Sequence, residues 1–122
     1  MPIVHNVDFI DLAAYDGNGG GGGQVRLLKD LSMSINSRHV LLVEDIVDTG
    51  MTLNYVAKTL LLREPASLAA VTLLDRPYRR LVEDIPVRYV GFTVPDEFFV
   101  GYGFDFEERY RNLPDLRLVT AA

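Results

Sequence analysis

The most informative stretch of this sequence spans residues 39–52 and reads His39-Val-Leu-Leu-Val-Glu-Asp-Ile-Val-Asp-Thr-Gly-Met-Thr52. The unbroken apolar run at 40–43 is typical of a strand that is buried on both faces of a parallel sheet. Apolar residues then recur at helical spacing over residues 52–64, and Pro65 ends the predicted helix. A strand, a turn and a helix in this order place the turn at the carboxyl edge of the sheet, where open α/β sheets bind ligands.

The turn itself has the features of an anion-binding site. It lies at the predicted helix amino terminus, where free backbone N–H groups and the helix dipole favour a negative charge. Gly50 allows a ligand to approach the backbone closely, and the hydroxyls of Thr49 and Thr52 add hydrogen-bond donors. We therefore expect a phosphate monoester to bind at Thr49, Gly50, Met51 and Thr52.

Three carboxylates precede this turn. Glu44 and Asp45 end the strand, where they can accept hydrogen bonds from sugar hydroxyls or bind Mg²⁺ through water. Asp48 lies between this pair and the phosphate turn, and it is a candidate proton acceptor. Acids and threonines also cap helices, which is the alternative for a generic acid-rich turn. The order of a buried strand, Glu-Asp, two residues and Asp-Thr-Gly-x-Thr favours a ligand site.

This stretch resembles the phosphoribosyl pyrophosphate-binding motif of type I phosphoribosyltransferases, and its acids resemble the hypoxanthine-guanine branch. The resemblance continues through TLLDRP at 72–77, VPDEF at 94–98, VGYGFD at 100–105 and YRNLP at 110–114. It implies one α/β domain over residues 1–122, with a twisted, mainly parallel sheet flanked by helices and an antiparallel lid hairpin. The implied reaction joins a purine base, hypoxanthine or guanine, to phosphoribosyl pyrophosphate and yields a purine nucleoside monophosphate and pyrophosphate.

The resemblance also assigns roles on the sugar and phosphate side. Asp48 accepts the N7 proton of the base, and residues 48–52 cradle the 5′-phosphate. Glu44 and Asp45 hold the ribose hydroxyls, directly or through Mg²⁺, which neutralises the leaving pyrophosphate. Arg111 matches an arginine near pyrophosphate.

Other matches lie on the purine side. Phe98 matches the purine-stacking aromatic, and Phe99 the neighbour whose backbone reads the base edge. On composition alone, an aromatic pair is usually core. Asp105 matches an acid near the base and the metal. Arg76 stands where the family usually has a lysine that contacts the purine 6-oxo group, and its larger planar fork can shift base preference.

Residues 8–28 are predicted to form the lid hairpin. Residues 24–28 alternate polar and apolar side chains as a half-buried strand does, and residues 16–23 end in five consecutive glycines. For a glycine run alone, a disordered linker is the alternative. The family's loop carries a Ser-Tyr pair at this point, whereas this chain has Ala14 and Tyr15, so the serine hydroxyl is lost.

Composition excludes several classes of function. The 122 residues contain no cysteine, which leaves no disulfide framework and no cysteine nucleophile. The net charge of -5 argues against a broad nucleic-acid interface. We expect a cytoplasmic protein because the sequence has no apolar run of membrane-spanning length and no signal-peptide pattern. The family resemblance implies a homo-oligomer.

One expected part of the family pattern has no match in this sequence. The resembled proteins begin with a strand–helix segment that carries a short pyrophosphate-binding loop. A second function therefore stays open beside the enzyme, namely a truncated or degenerate, non-catalytic nucleotide-binding or regulatory module of the same fold. A regulatory relative that binds RNA is a weaker third, because the acidic charge opposes it.

Overall fold

The computed structural model describes residues 2–15 and 24–119, apart from the side chains of Ala14 and Tyr15. In chain order the elements are β1 (Asp11–Tyr15), β2 (Gln24–Lys29), β3 (His39–Val47), α1 (Met51–Leu61), β4 (Ser67–Asp75), a 3₁₀ turn (Pro77–Arg79), β5 (Val87–Thr93), β6 (Phe99–Val100) and β7 (Arg117–Leu118). No helix in these two ranges is long and apolar enough to cross a membrane.

The central sheet is parallel and has the strand order β3-β4-β5. Strand β3 is in register with β4 from His39 opposite Ser67 to Val47 opposite Asp75. Because the three strands are parallel, their carboxyl ends meet at one edge. The predicted α/β class with a mainly parallel sheet is confirmed, and its helical layer over the described residues consists of α1 and the 3₁₀ turn.

The core lies between this sheet and one face of α1. Its centre is a cluster of Val47, Leu53 and Ala70, against which Leu42, Ile85 and Val87 pack. The buried residues of α1 recur at the spacing that the sequence predicts: Leu53, Val56, Ala57 and Leu60. This packing fixes the start of α1 against the end of β3, where the predicted site lies.

The opposite face of β3 is open. Leu41 is 42% exposed and Val43 is 78% exposed, whereas Leu42 between them packs on the core cluster. The prediction that this strand is buried on both faces is therefore wrong for the described part of the chain. Successive strand residues point to opposite faces, and α1 covers only the face to which Leu42 belongs.

The hairpin is present as an antiparallel pair. Strands β1 and β2 pair from Asp11 opposite Lys29 to Tyr15 opposite Gln24, with a register shift after Asp11. The predicted tip at residues 16–23 lies outside the described residues, so the lid function stays a prediction. A second antiparallel pair, β6 with β7, sets Phe99 opposite Leu118.

Candidate active site

The predicted phosphate turn forms the start of α1. Gly50 stands at the N-cap position with a φ of 86°, and α1 begins at Met51. The Met51 N–H donates to the Thr49 Oγ1 over 3.2 Å, and the Asn54 N–H donates to the Gly50 carbonyl over 2.9 Å. The first turn of α1, described in full, contains no acidic residue. Its positive end is therefore available to an anion.

Gly50 is required here by its conformation and by its neighbours. A β-carbon at this position would lie 2.9 Å from the Val82 carbonyl oxygen. The N–H groups of Leu81 and Val82 donate to the Thr49 carbonyl over 2.8 and 3.2 Å. The segment that follows the 3₁₀ turn thus packs directly behind the phosphate turn and holds it in place.

A cavity of about 240 Å³ joins the strand end to this turn. It is lined by Glu44, Asp45, Ile46, Val47, Asp48, Thr49, Gly50, Thr52 and Leu53. Its volume lies below the roughly 300–1,000 Å³ of pockets that enclose a whole drug-sized ligand. The cavity therefore suits part of a ligand, such as a phosphorylated sugar. Met51, predicted for the same site, lines a different groove of about 380 Å³ between β2 and α1.

Glu44 and Asp45 differ in their surroundings. Glu44 is half-buried, and this burial, reinforced by the charge of Asp45, raises the pKa of its carboxyl above the ordinary value. Asp45 is exposed and accepts the Ile46 N–H over 2.6 Å. Mg²⁺ is usually held by one or two carboxylates together with water and substrate oxygens. The donor chemistry of this pair fits that ion.

The third predicted metal ligand lies elsewhere. Asp105 accepts the Glu108 N–H over 2.8 Å and pairs with Arg111 at 3.4 Å. The described residues hold no group of three or more acidic or histidine side chains suited to a metal. Glu44, Asp45 and Asp105 are therefore not brought together as one centre. Arg111 also donates to the Gly103 carbonyl, so its contacts lie within the C-terminal loop.

Asp48 is engaged by two arginines. The Arg76 Nε and Nη2 donate to its two carboxylate oxygens over 3.2 and 2.9 Å. The Arg79 Nη1 lies 3.5 Å from one of these oxygens. Arg76 is only 9% exposed, whereas the side chain of Arg79 is 54% exposed. The arginine predicted to face the purine thus contacts the predicted proton acceptor.

Arg80 belongs to the site, although it is not among the candidate residues that the sequence predicts. Its side chain is 15% exposed, and its Nε donates to the Asp48 carbonyl over 3.1 Å. Arg80 also forms an ion pair with Asp75, the last residue of β4. The one available signal was its position in a loop that begins at the ligand-binding edge of the sheet.

Phe98 and Phe99 separate into different environments. Phe98 is 52% exposed, and its ring meets that of Phe106 edge to face, with centroids 5.7 Å apart. Phe99 is half-buried in β6. The alternative that both rings belong to the core is therefore wrong for Phe98, which keeps surface free for a ligand. The side chain of Tyr15, the predicted lid residue, lies outside the described residues.

Known proteins resemble this chain over most of its length. The hypoxanthine phosphoribosyltransferase of Salmonella typhimurium is 52% identical over 114 residues, which are 93% of this chain and 64% of that protein. The hypoxanthine-guanine phosphoribosyltransferase of Staphylococcus aureus is 49% identical over 89% of this chain and 60% of its own length. A crystal structure of a hypoxanthine phosphoribosyltransferase from Staphylococcus aureus superposes with a TM-score of 0.84 at 47% identity and covers 93% of this chain.

This chain thus spans between 60% and 64% of the length of these three proteins. The sequence model described as "Phosphoribosyl transferase domain" matches residues 4–107. The matched range contains the carboxylates of β3, the phosphate turn, the arginines after β4 and Phe98. The chain belongs to the phosphoribosyltransferase domain family.

Proposed function

We propose that this chain is a purine salvage phosphoribosyltransferase, which converts hypoxanthine or guanine and phosphoribosyl pyrophosphate to IMP or GMP and pyrophosphate. One observation carries the proposal: the acids at the end of β3 and the turn at the start of α1 line one cavity. The purine class is supported by the relatives, one named for hypoxanthine and one for hypoxanthine and guanine.

The cavity binds the phosphorylated sugar in this proposal. The 5′-phosphate lies against the backbone N–H groups and hydroxyls of residues 48–52, including Met51, at the positive end of α1. Glu44 and Asp45 accept hydrogen bonds from the ribose hydroxyls. Breaking the bond between C1 and pyrophosphate leaves positive charge on the ribose, so these nearby carboxylates also stabilise the transition state.

The purine is placed on the other side of Asp48. The carboxylate of Asp48 accepts the N7 proton as the new bond forms. The exposed ring of Phe98 stacks on the base, and the backbone of Phe99 reads its edge. Arg76 still has N–H hydrogens beyond those it uses on Asp48 and Glu97, which can meet a purine 6-oxo group. Asp105 lies near the base.

Mg²⁺ is the cofactor in this proposal. Glu44 and Asp45 would hold it together with water and substrate oxygens, whereas Asp105, among the described residues, does not form a group of three acids with them. When bound, the ion supplies charge neutralisation for the leaving pyrophosphate. Arg111 is the proposed pyrophosphate contact, the hairpin at residues 8–28 with Tyr15 is the proposed lid, and the active form is a homo-oligomer.

A second candidate function is a non-catalytic nucleotide-binding module of the same fold. The observation that favours it is the state of Asp48, whose two carboxylate oxygens already accept hydrogen bonds from Arg76. A proton acceptor held in this way must be partly released to act on a substrate. Such a module would bind the nucleotide through the same cavity and would not turn it over.

Calorimetric titration with IMP and with inosine tests the phosphate site that both candidates share. We expect IMP to bind at least about tenfold more tightly than inosine, because a hydrogen bond to a charged group contributes about 1.5–3 kcal/mol. Thr52→Val should weaken the binding of IMP and leave the affinity for inosine unchanged. Thr59→Val, a matched change in the other groove, should alter neither. Equal affinities for IMP and inosine would overturn the proposal.

A further inference from the structure

Arg76 contacts two other segments of the chain with a single guanidinium group. Its Nε and Nη2 donate to both carboxylate oxygens of Asp48, over 3.2 and 2.9 Å. Its Nη1 donates to the Glu97 carbonyl oxygen over 2.6 Å. Since Arg76 is only 9% exposed, these contacts lie largely out of water.

The three residues follow three neighbouring strands. Asp48 comes directly after β3, Arg76 directly after β4, and Glu97 a few residues after β5. The backbone of Arg76 is itself fixed, because its N–H donates to the Val47 carbonyl over 3.0 Å. One side chain therefore links the phosphate turn at Asp48 to the loop of residues 94–98, which carries Phe98.

The guanidinium is suited to this position by its shape. A bidentate pair between arginine and a carboxylate fixes both distance and orientation, and lysine, a point charge on a flexible stem, cannot reproduce it. Arg79 provides the internal contrast: it contacts the same carboxylate at 3.5 Å from an exposed position, where ion pairs contribute little. Burial and geometry thus distinguish Arg76 from its neighbour.

We propose that Arg76 is a positioning residue, which holds the Asp48 carboxylate and the Glu97 carbonyl at a fixed separation and so joins the phosphate half of the site to the purine half. This inference rests on the proposed function for its ligands. A ligand that contacts both halves, such as IMP, gains from the fixed separation. A ligand that contacts only the phosphate half, such as ribose 5-phosphate, does not.

The first test compares the affinities of IMP and ribose 5-phosphate in Arg76→Gln, Arg76→Lys and the control Arg79→Gln. We expect Arg76→Gln to lower the affinity for IMP by roughly tenfold or more and the affinity for ribose 5-phosphate by less than about threefold. Arg76→Lys keeps the positive charge but lacks the planar, bidentate guanidinium, so it should restore only part of the lost IMP affinity. Arg79→Gln should change neither. Equal weakening of both ligands, or full recovery with lysine, would overturn the proposal.

The second test needs no ligand, and so it separates this proposal from the proposed function. In ¹H–¹⁵N spectra, Asp48→Asn should shift the amide signals of residues 96–98, because Arg76 transmits the change. The same substitution in the Arg76→Gln background should leave those signals in place. Failure of the wild-type chain to bind either ligand would refute the proposed function alone. Signals that do not respond to Asp48→Asn would refute the role of Arg76.

Discussion

The ring of Phe98 meets the ring of Phe106 edge to face, with centroids 5.7 Å apart and ring planes at 85°. This is a preferred geometry for an aromatic pair. Phe98 is nevertheless 52% exposed, so Phe106 supports it while a large part of its surface stays open. A supported but accessible ring is what stacking on a purine requires.

Phe98→Ala is expected to weaken GMP binding by about 1–3 kcal/mol, the scale measured for a base stacked on an aromatic side chain. Phe92→Ala is the matched control, because Phe92 is 63% exposed on β5 and has no proposed role. Calorimetry with GMP measures both variants. Unchanged GMP affinity in Phe98→Ala would remove the ring from the base site.

Phe106→Ala should have a smaller effect on the same titration. The interaction energy of such an aromatic pair is about 0.5–1.5 kcal/mol beyond the area that the rings bury. Losing this energy leaves the Phe98 ring less well oriented for stacking. In the double variant with Phe98→Ala the loss should be less than the sum of the two single losses, because Phe106 acts through Phe98. Strictly additive losses would show that Phe106 acts independently.

Asp48→Asn should reduce turnover by about 10²-fold, the scale of general-base catalysis. Asparagine still offers one oxygen to Arg76, so IMP affinity should change much less than turnover. Steady-state rates and calorimetry on the same preparation measure the two effects. Asp84→Asn, at an exposed acid with no proposed role, is the control. If Asp48→Asn turned over at the wild-type rate, Asp48 would be excluded as the proton acceptor.

Glu44→Gln should stabilise the fold at neutral pH and weaken the ribose contact. Burial, with the charge of Asp45, raises the folded-state pKa of Glu44 above the ordinary glutamate value of 4.5. The folded chain then binds more protons than the unfolded chain between these two pKa values, so stability falls as pH rises through that window. Urea unfolding across mildly acidic to neutral pH should show a flatter dependence in Glu44→Gln. An unchanged slope would contradict this.

Gly50→Ala should destabilise the chain by about 1–3 kcal/mol through its left-handed backbone conformation, with a further loss from contact with Val82. Gly103→Ala is a matched control, since Gly103 has a φ of 96° and no atom within 4 Å of an added β-carbon. Urea unfolding measures both. A cost for Gly50→Ala no larger than that for Gly103→Ala would show that the Val82 contact is unimportant.

Much of this architecture follows from local sequence pattern. The apolar run of β3, the helical spacing after Thr52 and the alternation in residues 24–28 predict elements that the structure confirms. The order of these elements also predicts the sheet edge at which Glu44, Asp48 and Thr49 share one cavity. Periodicity and turn chemistry are local properties, so a single sequence reveals them.

Contacts between distant segments could not be predicted in this way. Nothing near Arg76 in the sequence indicates the two partners of its guanidinium group. These are the carboxylate of Asp48, 28 positions earlier, and the carbonyl of Glu97, 21 positions later. The exposure of Val43 likewise depends on what packs over the sheet. An apolar run is typical of a strand that is covered on both faces, but the run alone does not show which segment covers each face.

The most direct test of the proposed function is phosphoribosyl pyrophosphate-dependent formation of IMP from hypoxanthine by the purified chain with Mg²⁺. We expect turnover that requires phosphoribosyl pyrophosphate and falls about 10²-fold in Asp48→Asn. A folded chain that binds IMP but forms no IMP from hypoxanthine would contradict the proposed catalytic function and support the non-catalytic nucleotide-binding module. A folded chain that neither binds nor forms IMP would contradict both.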